Sequence, residues 1–161
     1  MNDLKFAITM ELDGEKYYRQ QAEINKNNSL YTVCLMLAND EKNHARFLTD
    51  TLNKKFYQLV DTTTLSTAKN IFQGMSDIQI AGKEIASQLD FYRIALEKEK
   101  QSIDFYTKYY AKAEGAKEKE LFEYLIRQEK QHFEVLNELV SLLSHAEEWV
   151  ENAEFGIRKE Y

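Results

Sequence analysis

The chain has 161 residues, of which 43% are hydrophobic and 30% charged, with a formal net charge of -6, five glycines and no proline. That size is most simply one domain (1–161) with a real core, and no apolar run approaches the ~20 residues of a membrane span. The acidic balance argues against non-specific nucleic-acid binding, which needs lysine and arginine facing phosphate, and the lack of proline suits long uninterrupted helices.

The start, Met1-Asn2-Asp3-Leu4, has no basic segment followed by an apolar stretch, and the single Cys34 has no partner for an intrachain disulfide. A cytoplasmic protein is therefore expected. Asn2 or Asp3 can cap a first helix with Leu4, Ala7, Ile8, Glu11, Tyr18 and Ala22 inward, ending in Asn25-Lys26-Asn27-Asn28. Ser29 is expected to cap a second helix, whose apolar stripe holds Cys34, Leu37, Ala38, Glu41, His44, Ala45, Leu48 and Leu52. Counted from the turn at 1.5 Å per residue, Glu11 and Glu41 stand roughly 22 Å and 18 Å along an antiparallel hairpin, so they are near neighbours.

A crossover is expected over approximately 59–86. Asp61-Thr62-Thr63-Thr64 reads as a break, a short helix follows near Leu65 to Phe72, and Gly74 and Gly82 bracket an irregular piece. Its length suits a link between two hairpins across a bundle end, or equally a surface for dimer or partner contacts. A third helix begins between Ile85 and Asp90, turns Phe91 or Tyr92, Ala95, Glu99, Ser102, Tyr106 and Tyr110 inward, and ends at Glu114-Gly115. The fourth runs from about Ala116 with Phe122, Leu125, Glu129, His132, Leu136, Leu139, Val140 and Leu143 inward. A short C-terminal helix is expected over approximately 146–156, anchored by Trp149, Val150 and Phe155 and stopped at Gly156.

Two stretches in this pattern repeat each other. Asp40-Glu41-Lys42-Asn43-His44 returns as Gln128-Glu129-Lys130-Gln131-His132, an offset of 88 residues that also places Glu11 on Glu99, Tyr18 on Tyr106 and Ala7 on Ala95. Residues three apart on a helix share a face, so each Glu-x-x-His offers a carboxylate and an imidazole to one point. The expected fold is an all-α, antiparallel four-helix bundle of two hairpins related by a pseudo-twofold. Such a bundle brings Glu11, Glu41, His44, Glu99, Glu129 and His132 together midway along its length.

Taken singly, each glutamate reads more simply as a solvated residue beside an apolar stripe, and each histidine as a hydrogen-bonded one. Together they would bury charge that only cations evidently neutralise. Carboxylates can bridge two hard ions and imidazole suits iron or manganese, whereas structural zinc would ask for more cysteine and histidine. Tyr18 and Tyr106 read equally as aromatic filler or as hydrogen-bond donors to a ligating carboxylate. His145 lacks a glutamate partner and is expected on the surface; Cys34 is expected to be a small core residue.

The stretches Ala7-Ile8-Thr9-Met10-Glu11 with Tyr18, Asp40 to His44, and Glu99 to Tyr106 resemble those of rubrerythrin-like proteins, within the ferritin-like di-metal carboxylate superfamily. The resemblance covers all four main helices. It implies Glu11 and Glu99 as terminal ligands, Glu41 and Glu129 as bridges, and one histidine per metal. It further implies two iron ions per chain, with manganese or a mixed pair as variants, and no haem. Rubrerythrins proper carry another glutamate one turn after the third-helix ligand, where this chain has Ser102, and a rubredoxin iron centre that one cysteine cannot build. The six-ligand set is closer to the symmetric bacterioferritin pattern. The expected activity is reaction of Fe(II) with O2 or H2O2, as a ferroxidase or a peroxide-reducing oxidoreductase, with an external electron donor of unknown identity and a homodimer or higher homo-oligomer. The alternatives are an iron-handling protein with little turnover, and a helical partner-binding module with a structural polar core.

Overall fold

Apolar residues recurring every three to four positions, uninterrupted by proline, wind into α1 (Asn2–Ile24), α2 (Leu30–Leu52), α3 (Thr64–Gly74), α4 (Gly82–Lys112) and α5 (Ala116–Lys159). The structure, a computed structural model, describes residues 2–75 and 82–159. It is all-helical, with no strand among the described residues. Helices α1 and α2 pack along each other as one hairpin and α4 and α5 as the other, while α3 lies against α2 and α5. Between α1 and α4 no Cα atoms approach within 8 Å, so that seam is spanned by side chains alone.

The two repeats place polar residues in the middle of the bundle and apolar residues on either side. One apolar cluster holds Tyr18, Ala22, Leu30, Leu37, Leu89, Tyr92, Leu136 and Leu139; the other holds Ala7, Phe47, Leu48, Tyr106, Leu121 and Leu125. The expected inward positions are mostly buried, and Cys34 is a core residue whose thiol burial raises to about 11. His145 is exposed, as expected.

Several local features differ from the sequence expectations. Helix α2 stops at Leu52 rather than running on toward Leu59, because Lys54 takes a left-handed φ of 56° and the amides of Asn53, Lys54 and Lys55 turn back onto Thr49, Thr51 and Asp50 carbonyls. Ser29 makes no side-chain cap; the Asn28 Oδ1 instead accepts the Leu30 amide at 2.9 Å. Asn2 is already helical, with Asp3 in the first turn beside the positive end of the helix. The C-terminal helix is no separate element. It continues α5 through Gly156 to Lys159, since a lone glycine weakens a helix by only about 1 kcal/mol and no proline follows. Trp149 is 73% exposed and joins neither apolar cluster of the described residues, whereas Val150 packs against the core; the side chain of Phe155 lies outside the described residues. Tyr110, expected inward, is 38% exposed near the end of α4. The irregular piece expected after Gly74 falls mostly outside the described residues.

Candidate metal centre

All six residues expected at the bundle centre meet there, each at most 5% exposed. They form two overlapping groups. Glu11, Glu41, His44 and Glu129 each bring one ligand atom within 4.8 Å of the others, and so do Glu41, Glu99, Glu129 and His132. Glu41 and Glu129 belong to both groups, while Glu11 with His44 and Glu99 with His132 belong to one each. The ring centroids of His44 and His132 are 5.7 Å apart.

Hydrogen bonding leaves Glu11, Glu99 and His44 each with one partnered atom and one open one. The Tyr18 hydroxyl on α1 donates to Glu99 Oε1 on α4 at 2.7 Å, and in mirror fashion the Tyr106 hydroxyl on α4 donates to Glu11 Oε1 on α1. Burial, reinforced by the nearby glutamates, pushes both phenols well above their usual range, so they remain donors. Opposite them, Glu11 Oε2, Glu99 Oε2, both Glu129 oxygens and His44 Nδ1 are buried without a hydrogen-bond partner. Buried polar atoms are rarely left so, and five within these two overlapping groups mark a place suited to cations.

The imidazoles are held from behind. His132 Nε2 lies 2.9 Å from Asp40 Oδ2 and His44 Nε2 lies 3.2 Å from Gln128 Oε1, which turns Nδ1 of each ring toward the carboxylates. His132 Nδ1 is 2.9 Å from Glu41 and 3.4 Å from Glu99; His44 Nδ1 is 3.2 Å from Glu129 and 3.5 Å from Glu11.

The four carboxyls differ in their hold on protons. Burial and then the charges of neighbouring glutamates drive Glu41 and Glu129 well above the ordinary range. Burial acts in the same direction on Glu11 and Glu99, but the adjoining carboxyls of Glu41 and Glu129, which take up the protons instead, and the fields of His44 and His132 outweigh it and hold them low. His132 is raised: burial opposes its charge, and Glu99 together with the hydrogen bond to Asp40 overcomes that.

Three residues of the centre escaped the sequence reading. A Cβ on Gly14 would come within 3.1 Å of Glu41 Oε2, so this glycine leaves the space the Glu41 carboxylate uses; a lone glycine inside a strong helix was the available signal. Asp40 and Gln128 precede the two repeat glutamates and occupy equivalent positions at the same 88-residue offset. Ser102, equivalent to Gly14, does not turn toward the carboxylates; its hydroxyl donates to the Lys98 carbonyl at 3.1 Å and rests 3.6 Å from Met10 Sδ. Met10, Gly14, Tyr18, Glu41, Glu99 and Ser102 line a cleft of about 250 Å³ along the α1–α4 seam.

The family model described as Rubrerythrin matches residues 2–140, which contain every residue of this centre. No curated protein and no solved structure matches the chain.

Proposed function

We propose that this chain, which belongs to the rubrerythrin family and so to the ferritin-like superfamily, is a non-haem di-iron protein that oxidises Fe(II) with O2 or H2O2. A buried carboxylate and histidine cluster inside a rubrerythrin-family bundle fits a di-iron protein. The observation that carries the reading is that the two overlapping groups contributed by α1, α2, α4 and α5 hold five buried polar atoms with no hydrogen-bond partner among the described residues.

The residues divide the work by position. Glu41 and Glu129, shared by both groups, would bridge the pair; Glu11 with His44 and Glu99 with His132 would complete one ion each. When bound, two iron ions would supply one-electron chemistry toward O2 or peroxide. Tyr18 and Tyr106 hold one oxygen of Glu99 and Glu11, leaving Oε2 of each directed inward. Asp40 and Gln128 fix the rings so that Nδ1, not Nε2, faces the site. Apolar clusters on both sides keep bulk water from the carboxylates and sharpen their electrostatics. The α1–α4 cleft, reaching Glu41 and Glu99, gives a small oxidant its approach.

Turnover tests this reading. Protein loaded anaerobically with Fe(II) is mixed with O2 or H2O2 in the presence of further Fe(II), and oxidation is followed by near-ultraviolet absorbance. Repeated turnover faster than that of free Fe(II) supports it; loss of the rate enhancement after one cycle refutes an enzymatic role.

A further inference from the structure

The six inward groups obey the internal repeat, but the residues behind them do not. Asp40 and Gln128 are equivalent by the 88-residue offset and perform equivalent tasks crosswise, Asp40 of the first half on His132 of the second, and Gln128 of the second on His44 of the first. Their chemistry differs. A carboxylate hydrogen-bonded to the outer N–H of an imidazole strengthens the other nitrogen as a donor to a cation, whereas an amide oxygen orients the ring without adding charge.

The crossover holds both residues in place. Thr64, at the start of α3, donates its hydroxyl to Asp40 Oδ2 at 2.6 Å, the same oxygen that meets His132, and Thr62 reaches Gln128 Oε1 at 3.5 Å. Asp40, Gln128 and Thr64 are all at most 5% exposed, so the difference acts where solvent screens it little. The long link between the hairpins thereby touches the site on its α2–α5 side, opposite the cleft.

Resting on the di-metal reading above, we propose that Asp40 and Gln128 are positioning residues that make two matched half-sites unequal, so that a divalent cation fills the His132 half first and is held more tightly there. Ring orientation is common to both halves. The gap between the two binding steps comes from the charge behind His132.

The test is anaerobic titration of the full chain with Co(II), read by calorimetry and by the hyperfine-shifted imidazole N–H signals of the bound metal. Wild type is expected to bind in two resolved steps, the first carrying the shifted signal that is lost in His132→Ala and kept in His44→Ala. Asp40→Asn should weaken the first step roughly 10–100-fold, the usual effect of removing such a partner. Gln128→Glu, which keeps side-chain length, should tighten the second step and needs no loss of a native group, so it decides the matter even where Asp40→Asn folds poorly. Thr64→Val should weaken the first step by less than Asp40→Asn does. Two ions bound with indistinguishable constants in wild type, or a gap unchanged by Asp40→Asn and Gln128→Glu, overturns the inference while leaving the di-metal reading intact. A folded wild type that takes up no Co(II) overturns both.

Discussion

Tyr18 on α1 gives its hydroxyl hydrogen to Glu99 Oε1 on α4 at 2.7 Å, across a seam where the helix backbones themselves do not meet. Tyr106 returns the arrangement to Glu11. These crossed bonds join the two hairpins and at the same time present one oxygen of each glutamate to the centre.

Tyr18→Phe and Tyr106→Phe should therefore act on stability and on metal binding together. Each leaves a buried carboxylate oxygen unpartnered, which should lower the stability of the metal-free protein by about 1–3 kcal/mol in urea unfolding. The affected glutamate also loses its orientation, so metal affinity should fall roughly tenfold. A phenylalanine variant with wild-type stability and wild-type affinity would show that the tyrosines are aromatic filler.

Gly14 separates space from propensity. Alanine is the better helix former by about 1 kcal/mol, but its Cβ would press on Glu41 Oε2 from 3.1 Å. Gly14→Ala should leave metal-free stability within about 1 kcal/mol of wild type while weakening metal binding, because a shared carboxylate is displaced. Gly115, around whose added Cβ nothing lies within 4 Å, supplies the comparison. Equal metal affinity for Gly14→Ala and Gly115→Ala would remove the role given to Gly14.

Much of this centre was legible before any coordinates. Glutamate and histidine three apart, repeated at 88 residues with Glu11 and Glu99 in register, fix helix faces and heights, and hairpin geometry does the rest. Trp149 was misread because an apolar period shows that a helix has a face, not how far its partner extends. Helix α5 has 44 residues and α4 has 31, so α5 outruns α4 by 13 residues, roughly 20 Å, and Trp149 lies in that overhang. Asp40 and Gln128 were hidden for the opposite reason. A polar residue beside a ligand looks like a solvated face until α3, brought back by the crossover, covers it.

The metal-free protein should lose stability as pH rises. Glu41 and Glu129 stand well above 4.5 and His132 well above 6.5, so between those values and their folded-state values the folded chain binds more protons than the unfolded chain. Stability then falls with rising pH, from 4.5 upward for the glutamates and from 6.5 upward for the histidine. Glu11 and Glu99, held low, act in the other direction only as pH drops below 4.5. Metal loading displaces the same protons, so the gap in Tm between loaded and chelated protein should widen from pH 6 to pH 9. Calorimetry across that range checks it; a chelated protein whose Tm rises over the interval contradicts the raised values of Glu41, Glu129 and His132.

The most direct test is the number of ions the chain holds. Protein purified without chelator, or reloaded anaerobically with Fe(II) or Mn(II), is assayed by elemental analysis against protein concentration. Two half-sites sharing Glu41 and Glu129 predict about two ions per chain in wild type, and loss of both in the folded Glu41→Ala, Glu129→Ala double variant. A folded wild type that holds no Fe(II) or Mn(II), or a double variant that still holds two ions, would contradict the di-metal centre.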